Sequence, residues 1–445
     1  MDLSAITSVA LDVISIPNTI LEEEEKVKKK IAAVAAGFLA ISLAGQSASA
    51  KSLEDVLKEK GVITEEDYKE VTKIKPFDYQ LGKGFIFTSP DEKYQLTFGG
   101  RLQFRYTFTD FDVKQDTSQW DAKRIRLIAQ GYAYSKDLTY KLEFDPRAYA
   151  SDTRKGLIET FFNYKIIDEA QIKVGQMKTP FTRQELISDG QLQFVDRSIV
   201  VDAFKPTYDI GAMLNGKIAG GLAYYYAGVY GGAGQTSTRS SNDNMLVARV
   251  VVNPLGDMTN FEADLDRSAK PLLSIGANYF MNTLNKSTPA TGVTLDNNIS
   301  NYSASSGWLG KGFNKAGYSA ANDKLDVDSY GADLAFKWMG ASLQGEYMLG
   351  QAEAQSNGHL LRAHGFYAQA GYMILSKLEV ALRYSYFDPD RDVANDHIIE
   401  TIGAVSYYFN KHNLKLQADA GNIHTQTSTK PTDDMQFRVQ AQIIF

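Results

Sequence analysis

From residue 84 onward, apolar and polar positions alternate with a period of two. Leu102, Phe104, Tyr106 and Phe108 share one face of a strand, and Arg101, Gln103, Arg105 and Thr107 share the other. Tyr330, Ala332, Leu334, Phe336 and Trp338 stand against Asp333 and Lys337. Leu378, Val380, Leu382, Tyr384 and Tyr386 stand against Glu379 and Arg383. Leu414, Leu416 and Ala418 oppose Lys415, Gln417 and Asp419. In the last segment Phe437, Val439, Ala441, Ile443 and Phe445 oppose Arg438, Gln440 and Gln442. The pattern predicts sixteen strands, near 93–110, 119–134, 137–147, 154–166, 169–178, 208–218, 221–231, 243–254, 270–282, 328–338, 340–352, 361–375, 376–388, 396–409, 411–423 and 434–445.

The connections alternate in length. Short ones fall at 134–137, 218–221, 339–341, 375–377 and 410–413. Longer polar ones fall at about 179–207, 232–242, 283–327, 353–360, 389–395 and 424–433. One connection, 255–269, lies on the short side yet is long.

A different pattern precedes the strands. Ser52-Leu53-Glu54-Asp55 and Thr64-Glu65-Glu66-Asp67 are capping boxes, and Gly61 separates them. Residues 51–76 therefore read as a short helical arm, either a periplasmic oligomerisation arm or plug, or a solvated leader. Upstream, Lys28-Lys29-Lys30, the apolar Ile31 to Ala44 and Ala48-Ser49-Ala50 form a secretory signal peptide cleaved after Ala50. The presequence is thus 1–50. Residues 1–26 precede the basic region, which leaves two readings: a start-site artefact with translation beginning at Val27, or a long n-region.

Alternation alone fits a soluble sandwich as well as a membrane barrel. The export signal, the loop asymmetry, the strand count and the terminal aromatic favour the barrel. In hydrocarbon every backbone N–H and C=O must be paired inside the protein, so a spanning sheet has to close. Arginine and lysine recur on one face, which a dry core would penalise and a wet lumen accepts. The 25 Tyr and 23 Phe supply girdles at both interfaces. The expected fold is all-β: a 16-stranded antiparallel transmembrane β-barrel over 77–445 in the bacterial outer membrane. Sixteen strands leave an aqueous channel, whereas eight fill with side chains.

The charge and the chemistry agree with a pore. A formal charge of −6 disfavours nucleic acid, and zero cysteines remove thiol chemistry. No G-x-S-x-G occurs, and no cofactor or metal is expected. Of the histidines His359, His364, His397, His412 and His424, four fall in or beside long connections, where a solvated loop residue is the commoner reading and an extracellular metal or haem contact the rarer one. A passive channel for small hydrophilic solutes needs only fixed charges on a wet wall. Parity puts Arg101, Arg105, Arg124, Arg126, Lys141, Arg383 and Arg438 on that wall, with Lys217 and Arg249 on the mid-barrel strands. Arg183, Arg197, Lys205, Asp189, Asp196 and Asp202 belong to the connection 179–207. Glu143, Asp145, Glu159, Glu346 and Glu379 compete. The balance leans to weak anion preference. The alternative is a surface-exposed barrel serving as scaffold, adhesin or partner of an envelope complex.

Several segments carry a resemblance: Phe98-Gly99-Gly100-Arg101-Leu102-Gln103-Phe104, Arg124-Ile125-Arg126-Leu127, and Asp137 to Asp145. The most specific are Val174-Gly175-Gln176-Met177-Lys178-Thr179-Pro180-Phe181, Phe194-Val195-Asp196-Arg197-Ser198 and Asp202-Ala203-Phe204-Lys205-Pro206. With these the chain resembles the phosphate-selective porin O/P family of outer-membrane channels. The resemblance implies a homotrimer of barrels in outer-membrane lipid, passing small anions such as phosphate. It also implies that 179–207 folds inward as a constriction. The family's arginine ladder and constriction lysine are only partly matched: Lys217 and Arg249 are the mid-barrel basic residues, and Lys178 and Lys205 lie nearest to the lysine.

Overall fold

The structure is a computed structural model and describes residues 57–62, 64–66, 76–151, 153–237, 242–258, 261–287, 294–295, 307–313 and 324–445. The signal peptide, the 1–26 segment and the first capping box lie outside the described residues. The chain divides into two units, 1–73 and 74–445. In the first, the Gly61 amide bonds the Lys58 carbonyl at 3.0 Å, and Gly61 turns with φ +67°. Its missing Cβ makes that left-handed exit from the helix easy.

The second unit opens with a hairpin, β1 (Phe77–Gln80) and β2 (Gly84–Thr88). There follow β3 (Gln95–Asp110), β4 (Thr117–Ala133), β5 (Ser135–Phe144), β6 (Leu157–Ile167), β7 (Ala170–Lys178), β8 (Tyr208–Ile218), β9 (Ala223–Tyr230), β10 (Met245–Val252) and β11 (Leu272–Ser287). After the two-residue β12 (Thr294–Leu295) come β13 (Lys324–Trp338), β14 (Ala341–Ala354), β15 (Leu360–Met373), β16 (Leu378–Asp388), β17 (Ile398–His412), β18 (Leu414–Thr425) and β19 (Thr432–Ile444). Strands β3–β11 and β13–β19 pair in order, and β19 returns to β3 from Ile444 beside Arg101 to Met435 beside Asp110. Phe445 extends the closure by exchanging two backbone bonds with Gly100, at 2.8 and 3.0 Å. The result is a closed antiparallel barrel of sixteen strands with no open long edge.

The sixteen strands predicted from alternation each have a counterpart. β11 and β13 run further than expected, because buried Leu284 pairs with buried Leu325 beyond the predicted ends. The hairpin was not anticipated. β2 pairs with Gln95–Phe98, the part of β3 that β19 does not reach, and so covers an edge that would otherwise be open. At the other connections the short turns carry the left-handed residues that tight hairpins require. Met339 (φ +50°) and Gly340 (φ +89°) form the two-residue link between β13 and β14.

Parity sorts the side chains. Leu102, Phe104, Phe108, Leu334, Leu343, Leu382 and Val405 point outward, and Trp120 at the long-loop rim is 70% exposed. Tyr106–Trp120 mark one rim, and Tyr94–Tyr134 and Tyr407–Phe409 the other. Inward, the barrel is not uniformly wet. Met245, Val247, Phe280, Leu325, Val327, Met348, Leu361 and Phe387 form an apolar sector of the inner wall, packed on Phe181, Val200, Val201, Phe204, Trp308 and Leu309. These partners come from the connection 179–207 and from the helix Trp308–Phe313. Glycine makes the room. A Cβ on inward Gly350 would meet Trp308 at 2.7 Å, and one on Gly365 would meet Val200 at 2.8 Å.

Candidate pore and its inward loop

The connection 179–207 folds through local caps. Thr182 accepts from the Glu185 amide, Ser188 from Gly190 and Ser198 from Val200. Each cap starts a short turn by satisfying a backbone N–H that burial would otherwise orphan. The loop can therefore enter the lumen as a compact strap and not as open coil. Most of its residues are buried.

One flank of the strap is ionic. Arg105 forms a fork on Asp196 at 2.6 and 3.0 Å and also bonds Gln440 at 2.9 Å. Arg438 reaches Asp196 at 3.1 Å while holding Asp419 at 2.7 Å. Arg124 lies 3.0 Å from Asp189, and Arg101 and Arg126 lie at 3.7 and 3.6 Å. Arg126 also holds Glu143 at 2.7 Å and Asp145 at 3.0 Å. Within the strap Arg197 pairs with Glu185 at 3.0 Å and with Asp189. Burial alone would push the carboxyl of Asp189 upward, but Arg124, Arg197 and Arg101 outweigh it and hold the group well below the carboxylate range. Burial likewise opposes Arg105 and Arg438 at Asp196, and again the arginines win and lower it.

On the other flank charged groups stand singly among amides and hydroxyls, except for the buried Arg383–Glu400 pair. Glu346 accepts from the amides of Arg183 and Gln184 at 2.7 and 2.8 Å. Gln193 donates to Ser342 at 2.7 Å and Glu379 at 2.6 Å, and accepts from Gln369 at 2.9 Å. Lys415 and Gln417 donate to the Leu192 carbonyl at 3.0 and 3.1 Å. Arg383, 0% exposed, binds Glu400 at 2.9 Å and the Asp196 carbonyl at 3.0 Å.

The residues singled out from sequence thus fall into groups. Arg101, Arg105, Arg124, Arg126 and Arg438 converge on Asp189 and Asp196. Lys178 donates to the Ile187 carbonyl at 3.1 Å, and Lys205 pairs with Glu185 at 3.0 Å and Asp202 at 2.7 Å. Arg183 and Arg249 share Asp333, at 3.8 and 2.7 Å, behind the strap. Arg249 therefore does not face open lumen as expected: it is sealed beneath the Phe181 carbonyl, 3.0 Å away. Lys217 departs as well, lying half-exposed at the short-turn rim with Asp257 at 2.9 Å. Lys141 pairs with Glu143 at 2.8 Å and with Glu159.

The strap covers the inner face of β13–β18 and leaves part of β4–β9 open. On that wall Lys141, Phe161, Lys173, Asn215 and Tyr226 are half-buried, while half-buried Lys123 of β4 lies toward Asp196 of the strap. Lys173 Nζ sits 4.4 Å from the Phe161 ring centre, a cation–π contact. Among the described residues neither Lys123 nor Lys173 has an ion-pair partner within 4 Å. Sequence reasoning missed both. Lys173 alternates regularly with outward Ile172 and was legible, whereas Lys123 sits at the irregularity where β4 slips against β3 between Gln103 and Arg105. The connection noted as long for its side, 255–269, gave no sign of its reach: from the short-turn end it carries Glu262 and Asp264 to buried positions.

Comparison with known proteins agrees with this architecture. An uncharacterized protein of Aquifex aeolicus is 25% identical over 398 residues, covering 81% of this chain and 86% of that protein. Among solved structures, the outer membrane channel DcaP of Acinetobacter baumannii aligns with a TM-score of 0.53 at 14% identity, over 82% of this chain and all of that one. The anion-selective porin of Comamonas acidovorans aligns at 0.53 and 10% identity, over 78% and 99%. OmpT, an outer membrane protein of Vibrio cholerae, aligns at 0.51 and 12% identity, over 81% and 100%. At these identities the structures speak for the fold alone. The sequence model of the phosphate-selective porins O and P matches residues 96–445, all sixteen barrel strands but the first residue of β3, and the chain belongs to that family of outer-membrane channels.

Proposed function

We propose that the protein is a passive diffusion channel for small hydrophilic solutes with a weak preference for anions, and not an enzyme. The observation that carries this reading is the charge on the open wall. Lys173 stands there with no ion-pair partner within 4 Å among the described residues, the half-buried Glu159 near it being held by Lys141, and Lys123 lies toward Asp196 and Asp121 without pairing with either within 4 Å. Two unit charges ~7 Å apart in water interact by only about 0.6 kcal/mol, so the preference is modest and screened by salt. Phosphate passes as one such anion. Arg101, Arg105, Arg124, Arg126 and Arg438 are already engaged by carboxylates and form no free ladder for it. Membership of the porin family supports assembly as a homotrimer, each barrel with its own pore.

Planar-bilayer recording in a KCl gradient tests the reading. The reversal potential is expected on the anion side at ~0.1 M and near zero at ~1 M, because the screening length falls from about 10 to about 3 Å. Changing Lys123 and Lys173 together to Gln is expected to remove the preference without altering the folded barrel. A cation preference in the native protein sinks the anion proposal. Electrical silence turns the reading toward a scaffold or adhesin.

A further inference from the structure

Loop 253–271 joins β10 to β11 at the periplasmic end, where the other described connections are short. Its rim contacts are firm. Asp264 accepts from the Gly340 amide at 2.7 Å and from the Ser268 hydroxyl at 2.7 Å, and Arg267 donates to the Met373 carbonyl at 2.5 Å. From this rim-bound base Glu262 projects into the lumen and is 2% exposed. One carboxylate oxygen accepts from the Gln184 side chain at 2.8 Å and from the Gln344 side chain at 3.3 Å. The other accepts from the backbone N–H of Gln193 at 2.7 Å.

Gln184 and Gln193 bracket the part of the inward loop that contains Glu185 and Asp189. We propose that Glu262 is a positioning residue of the constriction, through which the periplasmic loop sets where segment 184–193 stands in the pore. The proposal rests on the channel reading above. Three N–H donors converge on two oxygens, and a carboxylate offers acceptors on both sides. An amide of the same shape turns an NH2 toward at least one of those donors, leaving two donors face to face.

The test compares the full-length native protein, Glu262→Gln and Asp264→Asn, the last of which loosens the rim anchor without touching loop 179–207. Hydrogen exchange of the segment containing the Gln193 amide is read alongside single-channel conductance and thermal unfolding. In Glu262→Gln the Gln193 amide is expected to exchange about tenfold faster, with altered conductance and noise and with strand amides unchanged. Unchanged exchange at Gln193 overturns the proposal. If Glu262→Gln fails to fold, Asp264→Asn decides by the same amide in the same direction. A native protein that folds but does not conduct refutes the channel reading, and the exchange result still decides whether Glu262 holds the segment.

Discussion

The two flanks of loop 179–207 hold it by different physics. Toward β3, β4 and β19, five arginines close on Asp189 and Asp196. Toward β14–β18, glutamines, serines, tyrosines and scattered glutamates bond it group by group. Charge attraction acts over several ångströms and tolerates imperfect geometry, as the 3.6–3.8 Å contacts of Arg101, Arg126 and Arg124 demonstrate. Hydrogen bonds weaken steeply with distance and angle, and Gln193 holds Ser342, Glu379 and Gln369 at 2.6–2.9 Å. The ionic side thus supplies strength, and the amide side registers the loop against the wall.

Three substitutions or conditions break or sharpen this contrast. The largest effect is expected at Asp196. Asp196→Ala removes the shared partner of Arg105 and Arg438 and costs about 3 kcal/mol, the lower end for a broken buried pair because Gln440 and Asp419 remain. Thermal unfolding of the barrel measures the cost, and a rise in single-channel conductance reports the released loop. Gln193→Ala is expected to cost less, about 2 kcal/mol, since it removes the bonds to Ser342, Glu379 and Gln369 but uncovers no charge that lacks another partner: Glu379 keeps Tyr408 at 2.5 Å. Equal losses for the two variants erase the distinction between the flanks.

The smallest expected effect is that of mild acid. Asp189 and Asp196 have carboxyls held below the usual value of about 3.9. A depressed carboxylate stabilises fully above its unfolded value and loses that contribution only as pH falls through its folded value. The hold of Asp189 and Asp196 on the loop is therefore expected to persist between pH 7 and about pH 4, with its release confined to lower pH. A step in conductance between pH 6 and 5 shows that some other group controls the loop.

The strand pattern made some of this site legible. Arg101, Arg105 and Arg438 alternate with outward Leu102, Phe104 and Val439, so their inward direction follows from period two alone. The same pattern placed Arg249 on the inner face, and correctly, but could not say that Phe181 and Asp333 would cover it. The apolar sector had a signal that alternation hides: Met245-Leu246-Val247 and Leu360-Leu361 are apolar on both faces, as strands buried on both sides are.

Period two in the chain was enough for the barrel, its strand count and the facing of wall residues wherever the alternation runs unbroken, which it does not at Lys123. Those depend on pleat and hydrophobic period, which neighbouring residues settle between them. Which inward charges are neutralised, and which stay open to water, came from the folded chain. Arg105 meets Asp196 across 91 residues, and Gln193 meets Glu262 across 69. Such pairings arise when the sheet closes and three separate segments fold into one lumen, and no local periodicity encodes which of them reaches a given wall first.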